Sequence, residues 1–475
     1  MNDSAIPLCL SLDGTLTPVR ISDERLLLAA KHSPAALWNS LAKPSRSKGA
    51  ASDSAAPSTP VDVNTLPFRT DLLAWLQQER SNGRRLVLVA DADGVTAARI
   101  AEHLDLFDEI AKTENYVGSP AERTRSALIA RFGEHGFDYI GSSVADTIVW
   151  DASRRAIVVG DASAGRRIDR NIEVVNVFPA TKPSLRTWIK AMRLHQWVKN
   201  GLIFLPPLLA HAISDPHMLL QAILAFVAFG LCASSVYLVN DLFDLAADRQ
   251  HPRKRLRPFA AGLLSARSGL AVASLLFIAA AAIAVIVGWR FVAVLAGYYV
   301  LTWSYSLRLK RVPLLDVMML AGLYTLRIIA GAAATQIPLS FWLLAFSVFM
   351  FLSLGFVKRY AELDDASKAG KLKLISHTRG YRDTDLPLIM SLGTAAGYCA
   401  IVVMALYINS SDSQSLYQHH KPLWLICPLM LFWISRVWIV ASRGAMHDDP
   451  VVFALRDRVS LLIVAALGVI VLVSI

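Results

Sequence analysis

The densest chemistry in the chain is a run of acids closing an apolar stretch: Val236-Tyr-Leu-Val-Asn240-Asp241-Leu-Phe-Asp244-Leu-Ala-Ala-Asp248. On a helix, Asp241, Asp244 and Asp248 stand at i, i+3 and i+7, so the three carboxylates share one face with Asn240 beside them. Carboxylates that close repel one another unless a cation lies between them. Oxygen ligands suit Mg²⁺, which is usually held by one or two carboxylates together with substrate phosphates. The acids are followed at once by His251-Pro-Arg253-Lys254-Arg255-Leu-Arg257-Pro258. Such a pairing supplies what a metal-bound phosphate needs: ligands for the metal, and cations for the remaining oxygens. The plainer reading is a solvated helix end, with the basic loop mere charge at a membrane face. The wholly apolar residues before Asn240 argue against it, because they start the cluster at membrane depth.

More polar groups recur at the ends of other apolar runs. Arg193, Gln196, Lys199 and Asn200 open the first run, and Tyr305-Ser-Leu-Arg308-Leu-Lys310-Arg311 closes the fourth. Asp316 begins the fifth, Arg327 lies deep within it, and Lys358-Arg359-Tyr360-Ala-Glu362 closes the sixth. Arg327 has no sequence neighbour to pair with, so it is expected to face a polar cavity. Lys199 and Lys358 could equally be lysines that snorkel at span ends.

These groups must be positioned by membrane-crossing helices, each needing about 20 apolar residues. Nine stretches are candidates: 198–213, 217–240, 269–288, 291–307, 313–334, 339–357, 386–408, 422–441 and 458–475. The first is short and holds Pro206-Pro207, so it should be kinked or partly interfacial. With the N-terminus inside, the cytoplasmic loops 241–268, 308–312, 358–385 and 442–457 are rich in Lys and Arg, while the opposite loops hold only Arg290 and Lys421. That asymmetry fits one orientation, and it puts every candidate motif on the cytoplasmic side of a bacterial-type inner membrane.

The N-terminal part differs in kind. Only 18% of the chain is charged, against about a quarter in soluble proteins, yet residues 1–190 read as soluble. The composition shift sets a boundary near 181–190. Net charge is +11, which positive-inside loops and anionic lipid explain. A nucleic-acid partner is not expected, since the basic residues lie between apolar spans. Cys9, Cys232, Cys399 and Cys427 have no metal-ligand spacing and read as reduced thiols. Met1–Asp13 lacks a basic segment before its short apolar stretch, so no signal peptide is expected.

Asn240-Asp241-x-x-Asp244-x-x-x-Asp248 resembles the NDxxDxxxD motif of the UbiA superfamily of intramembrane prenyltransferases. The resemblance extends over about 190–475 and includes Arg193-Leu-His-Gln-Trp-Val-Lys-Asn200, the loop from His251 to Gly262 and Tyr305-Ser-Leu-Arg-Leu-Lys310. It implies an all-α bundle of nine helices with a central cavity open to lipid. Members that use a prenyl diphosphate usually carry a second motif, DxxxD, for a second Mg²⁺. Here that segment reads Asp316-Val-Met-Met-Leu320, and Leu320 cannot bind metal. Leu326-Arg327-Ile-Ile-Ala-Gly331-Ala, Val357-Lys358-Arg359-Tyr360-Ala-Glu362-Leu and Ala454-Leu-Arg456-Asp457-Arg458 resemble the decaprenyl-phosphate phosphoribosyltransferase branch. That branch implies a polyprenyl phosphate as nucleophile and phosphoribosyl diphosphate as donor, for a cell-envelope glycan precursor. Mg²⁺ on Asp241 and Asp248, assisted by Asn240 and Asp244, would hold the donor's diphosphate. Arg253, Lys254, Arg255, Arg257 and the catalytic Lys310 would neutralise it as it leaves. Lys199, Asn200, Tyr305, Asp316, Arg327, Lys358, Arg359 and Tyr360 complete the expected substrate contacts.

Leu8-Cys-Leu-Ser11-Leu-Asp13-Gly14-Thr15-Leu16 resembles the first motif, DxDGT, of haloacid dehalogenase-like phosphatases. Residues 86–92 resemble the second strand of that fold, and Phe137–Asp146 its acidic fourth motif. The resemblance implies a doubly wound α/β domain over 1–182, with a flexible Ala-, Ser- and Pro-rich insertion at 43–62. The family nucleophile is the first Asp of the motif; here it is Ser11. Ser142 replaces a further carboxylate, although Asp146 remains. Without a carboxylate nucleophile the aspartyl-phosphate route fails, so the domain is expected to be a degenerate enzyme serving in docking or regulation. Residual phosphatase activity on the membrane domain's product is the alternative.

Two other functions stay open at this level. One is prenyl transfer from an isoprenoid diphosphate to an aromatic acceptor, which Leu320 disfavours. The other is a lipid carrier without catalysis, which the complete acid motif disfavours. The bilayer is a partner in every case, and a homo-oligomer is allowed for.

Overall fold

The computed structural model describes residues 5–32, 61–90, 94–160, 168, 172–179, 183–368, 370, 379–446 and 449–475. The expected insertion lies, up to residue 60, outside these, as does the expected boundary at 182. The chain falls into two compact units: Met1–Met192 with Tyr237–Val272, and Arg193–Val236 with Ala273–Ile475. The acid motif and the basic loop thus pack with the N-terminal residues, a grouping that the division at 182–190 did not anticipate.

In the first unit, β1 (Leu8–Ser11), β2 (Leu86–Ala90), β3 (Glu109–Lys112), β4 (Asp138–Gly141), β5 (Arg155–Gly160) and β6 (Glu173–Pro179) form one sheet in the order β3-β2-β1-β4-β5-β6. Every pairing is parallel. Parallel strands covered on both faces read as unbroken apolar runs, and Leu86-Val-Leu-Val-Ala90 is buried throughout. Alternate residues serve separate cores. Leu8, Leu10 and Leu88 pack with Leu72, Leu76 and Ile100 on one face, while Cys9, Val87 and Tyr139 pack with Leu128 and Trp150 on the other. Strand order reverses between β1 and β4, where sheets of this type hold ligands beyond the strand ends. Ser11 ends β1 at this point and Ser142 follows β4. The loops touch there: a Cβ on Gly14 would stand 2.8 Å from Ser142 Oγ.

Beyond the sheet the chain is helical. Among the described residues, six helices are long and apolar enough to cross a membrane: Pro216–Phe243, Ala266–Val287, Leu315–Thr335, Phe341–Lys368, Asp383–Ile408 and Pro422–Ser442. A seventh span results if Pro450–Arg456 and Arg458–Ser474, bent by 81°, count as one. These account for seven of the nine expected stretches. Trp289–Leu307 is a helix of 19 residues where 291–307 was expected to cross, but is not among the six. The 198–213 stretch is not one helix. It forms tight 3₁₀ turns over Leu194–Phe204 and then the short helix Leu205–Leu209, with proline in the first turn, where its missing N–H costs nothing. Close packing holds this segment against Leu315–Thr335: a Cβ on Gly331 would lie 2.1 Å from the Ile203 carbonyl oxygen.

Candidate active site

The Pro216–Phe243 helix carries Asn240 and Asp241 on its last turn. It stops at Phe243 and does not continue through Asp248. Asp244 (φ −99°, ψ 10°) precedes a separate helix, Leu245–Gln250. Aspartate is a poor helix-interior residue and a good one at a helix start, so a break there agrees with its chemistry. The single helical face expected for the acids is therefore corrected. Asp241 and Asp248 still converge, each 3% exposed. Arg257 Nη1 donates to Asp241 Oδ1 at 3.2 Å and to Asp248 Oδ2 at 2.6 Å. One cationic nitrogen thus bridges two carboxylates. Asn240 and Asp244 are half-buried beside them, while Arg253, Lys254 and Arg255 are exposed. No group of three or more His, Cys, Asp or Glu suited to a metal ion forms among the described residues. Two converging carboxylates do fit Mg²⁺, which takes that number when phosphates complete its shell.

A second constellation lies in the other unit. Lys199 Nζ donates to Asp449 Oδ2 at 2.7 Å and Lys358 Nζ at 3.2 Å. Tyr324 Oη donates to Asp449 Oδ1 at 3.0 Å. The carboxylate also caps the following helix by accepting from the Val451 N–H. Burial works to raise the Asp449 carboxyl, but Lys358 and then Lys199 outweigh it and hold it well below the usual carboxylate range. Arg327, the buried arginine expected in a cavity, donates through Nε to Asn200 Oδ1 at 2.9 Å. Its guanidinium faces the rings of Tyr298, Tyr324 and Phe229 at 5.2 to 5.7 Å. Three cations and one acid are therefore gathered here, at sites left 5% to 29% exposed. Asp449 was absent from the expected residues. The signal was there: an acid directly before a proline that opens a helix.

Asp316 and Arg359 meet as well, but in isolation. Their side chains have no exposed surface and pair at 2.5 Å. Tyr381 Oη donates to Asp316 Oδ1 at 2.6 Å, and Arg359 also pairs with Glu362. Tyr305 Oη accepts from Arg379 at 2.9 Å, Tyr360 packs edge-on against Trp438, and Lys310 is half-buried on a short 3₁₀ turn.

In the N-terminal sheet, Asp13 Oδ1 accepts from the Ile21 N–H at 3.1 Å. Asp146 Oδ2 accepts from the Ser142 and Ser143 N–H groups and from Ser143 Oγ. Ser11 is half-buried at the end of β1.

The chain thus carries helices apolar enough to span a membrane, a paired-acid turn and a buried cation cluster. Residues 203–456, more than half of the chain, match the UbiA prenyltransferase family, and the chain belongs to it. It is an integral membrane enzyme of that class. A relative along nearly the whole length is the uncharacterized protein y4nM of Sinorhizobium fredii, 36% identical over 96% of this chain and 89% of that one. Nodulation protein NoeC of Azorhizobium caulinodans is 37% identical over 61% of this chain and 93% of its own. The decaprenyl-phosphate phosphoribosyltransferase of Mycobacterium tuberculosis is 33% identical over 58% of this chain and 90% of its own.

Proposed function

We propose that this enzyme transfers a phosphoribosyl group from phosphoribosyl diphosphate to a polyprenyl phosphate at the cytoplasmic face of the membrane. The observation that carries the reading is the state of Asp316. A second metal site for a prenyl diphosphate would need Asp316 and the residue at 320. Asp316 is wholly buried against Arg359, and position 320 is leucine. Asp241 and Asp248 are then one acid pair, suited to one metal and one diphosphate. Similarity to the mycobacterial decaprenyl-phosphate phosphoribosyltransferase supports phosphoribosyl as the group transferred.

Asp241 and Asp248 are the residues that would hold Mg²⁺, and the metal would supply charge neutralisation for the departing diphosphate. Arg257, already within reach of both acids, adds positive charge as the bond from ribose carbon 1 to diphosphate breaks. Arg253, Lys254 and Arg255 extend that field. An oxygen of the lipid phosphate forms the new bond to carbon 1. It is already ionised, so no strong base is required. Lys199 and Lys358 converge on an oxyanion, Asp449, and so are suited to a phosphate oxygen in the same position; Arg327 and Asn200 stand by them. Asp316 and Arg359 serve by fixing their helices. We read the N-terminal domain as haloacid dehalogenase-like and degenerate, because Ser11 and Ser142 stand where that family carries carboxylates. The nine-helix bundle of the family remains part of this reading.

The test uses the purified full chain in nanodiscs with Mg²⁺, polyprenyl phosphate and labelled phosphoribosyl diphosphate. Label should enter the organic phase, and Asp241→Asn should lower the rate by about a hundredfold or more. No transfer, with prenyl diphosphate consumed in the presence of an aromatic acceptor, would replace this reading by aromatic prenylation.

A further inference from the structure

The N-terminal domain grips the turn that carries Asp248. Arg249 Nη1 and Nη2 donate to the two oxygens of Glu24 at 2.8 and 2.5 Å, a bidentate pair whose side chains are only 5% and 9% exposed. The same guanidinium donates through Nε to the Ala260 carbonyl at 3.1 Å, tying the far side of the basic loop to the pair. Arg267 Nε reaches Asp23 Oδ1 at 2.8 Å, and Lys190 Nζ reaches the Leu256 carbonyl at 3.3 Å. Packing reinforces the charges. Gly262 adopts φ +71° where a Cβ would stand 2.6 Å from Pro18 Cγ. Phe259, Ala260 and Leu264 are buried.

The loop is thereby caught between two demands. Arg257 faces Asp241 and Asp248, whereas Arg249, the next residue after Asp248, faces Glu24. The two neighbours lie on a helix of only six residues, Leu245–Gln250, too short to hold its own shape without outside contacts. The buried Glu24–Arg249 pair supplies one, and bidentate geometry fixes orientation as well as distance.

We propose that Glu24 is a positioning residue for the transferase: through Arg249 it sets the place of Asp248, so the N-terminal domain governs donor binding although its own catalytic carboxylate is lost. The proposal rests on the reading of Asp241 and Asp248 as the diphosphate site. The whole-length relative spans this domain, while the mycobacterial enzyme is covered to 90% by 58% of this chain. The control is thus a property of the longer architecture.

The experiment measures hydrogen exchange of residues 245–262 and steady-state kinetics in full-length protein in nanodiscs. Glu24→Ala should speed exchange in that segment and leave Leu315–Thr335 unchanged. The KM for the diphosphate donor should rise about fivefold to tenfold while the KM for the lipid acceptor stays constant. Glu24→Asp should recover part of the effect, and exchanging the charges as Glu24→Arg with Arg249→Glu should recover more than either single change. Gly262→Ala, which alters no charge, should raise the donor KM in the same way. Unchanged exchange overturns the proposal whichever substrate the enzyme proves to use, because that readout needs no substrate. Faster exchange with an unmoved donor KM overturns it too, since the contact is then structural only.

Discussion

Replacing Asp449 by asparagine removes one charge and keeps the shape. The carboxylate lies 2.7 Å from Lys199 Nζ and 3.2 Å from Lys358 Nζ, with side chains 10%, 11% and 29% exposed. Two unit charges at such a distance attract by about 5 kcal/mol at an effective dielectric of about 20, and desolvation cancels much of this. Removing one partner of a buried pair costs about 3 to 5 kcal/mol because the other is left uncompensated. Asparagine still accepts from Tyr324 and the Val451 N–H, so the lower figure applies, about 3 kcal/mol. Burial raises the Asp449 carboxyl, yet Lys358 and Lys199 hold it below its ordinary value. A depressed carboxylate contributes stability that is fully present above its unfolded pKa of about 4 and is lost as pH falls through the folded value. The gap between wild type and Asp449→Asn in detergent melts should then shrink below about pH 4, and it should narrow again as pH rises toward 8, because burial lowers Lys199 to about 8 and the variant's Lys199, without Asp449, gives up its proton sooner. The two unpaired lysines of the variant should also take up an anion. Diphosphate at a hundred times its Kd should return about 2.7 kcal/mol, and it should stabilise wild type less. A gap under about 0.5 kcal/mol near pH 6, within the range of ordinary surface substitutions, refutes the electrostatic account. Failure of the anion to rescue the variant refutes the phosphate role given to the lysines.

Two further outcomes follow from packing. Asp316→Asn should destabilise by about 3 kcal/mol, whereas Asp316→Leu combined with Arg359→Met should lose less, because no wholly buried ion is left facing a missing partner, although Glu362 and the Tyr381 hydroxyl each lose a contact; a double-variant loss as large as the single would refute this in thermal melts. Gly331→Ala should cost about 1 to 3 kcal/mol, since its Cβ meets the Ile203 carbonyl oxygen at 2.1 Å and backbone cannot step aside as a side chain can. Wild-type stability there would mean that the Leu194–Phe204 segment is held more loosely than described.

Much of the frame was legible because burial leaves a mark along the chain. Strands covered on both faces must be apolar at every position, so Leu86–Ala90 announced itself. Helices in lipid must be apolar for about 20 residues, and among the described residues six of the nine expected stretches meet that demand on length and composition, with a seventh if the bent pair counts as one span. What escaped were departures decided by small local energies or distant partners. The end of the helix at Phe243 rests on differences of under about 1 kcal/mol in residue preference, which three acids at tempting helical spacing concealed. The 3₁₀ turns of Leu194–Phe204 were hidden by the same apolar composition that suggested a span.

Charged residues are the sharper case. In sequence neither Asp316 nor Asp449 shows its partner: Asp316 opens an apolar run and Asp449 sits just before Pro450. Asp316 is sealed by Arg359 and Tyr381, 43 and 65 positions along the chain. Asp449 is bound by Lys199 and Lys358, 250 and 91 positions away, at the edge of a partly exposed cluster. Residue type says that each must be neutralised; only the fold says by what, and whether that partner can be exchanged for a ligand. An arginine with no exposed surface cannot trade Asp316 for a phosphate. Lys358, 29% exposed, can trade Asp449 for one. The distinction between a structural ion pair and a binding site is therefore access to the cation, and it moves the expected substrate contacts from Asp316 and Arg359 to Lys199, Lys358 and the acid that holds them.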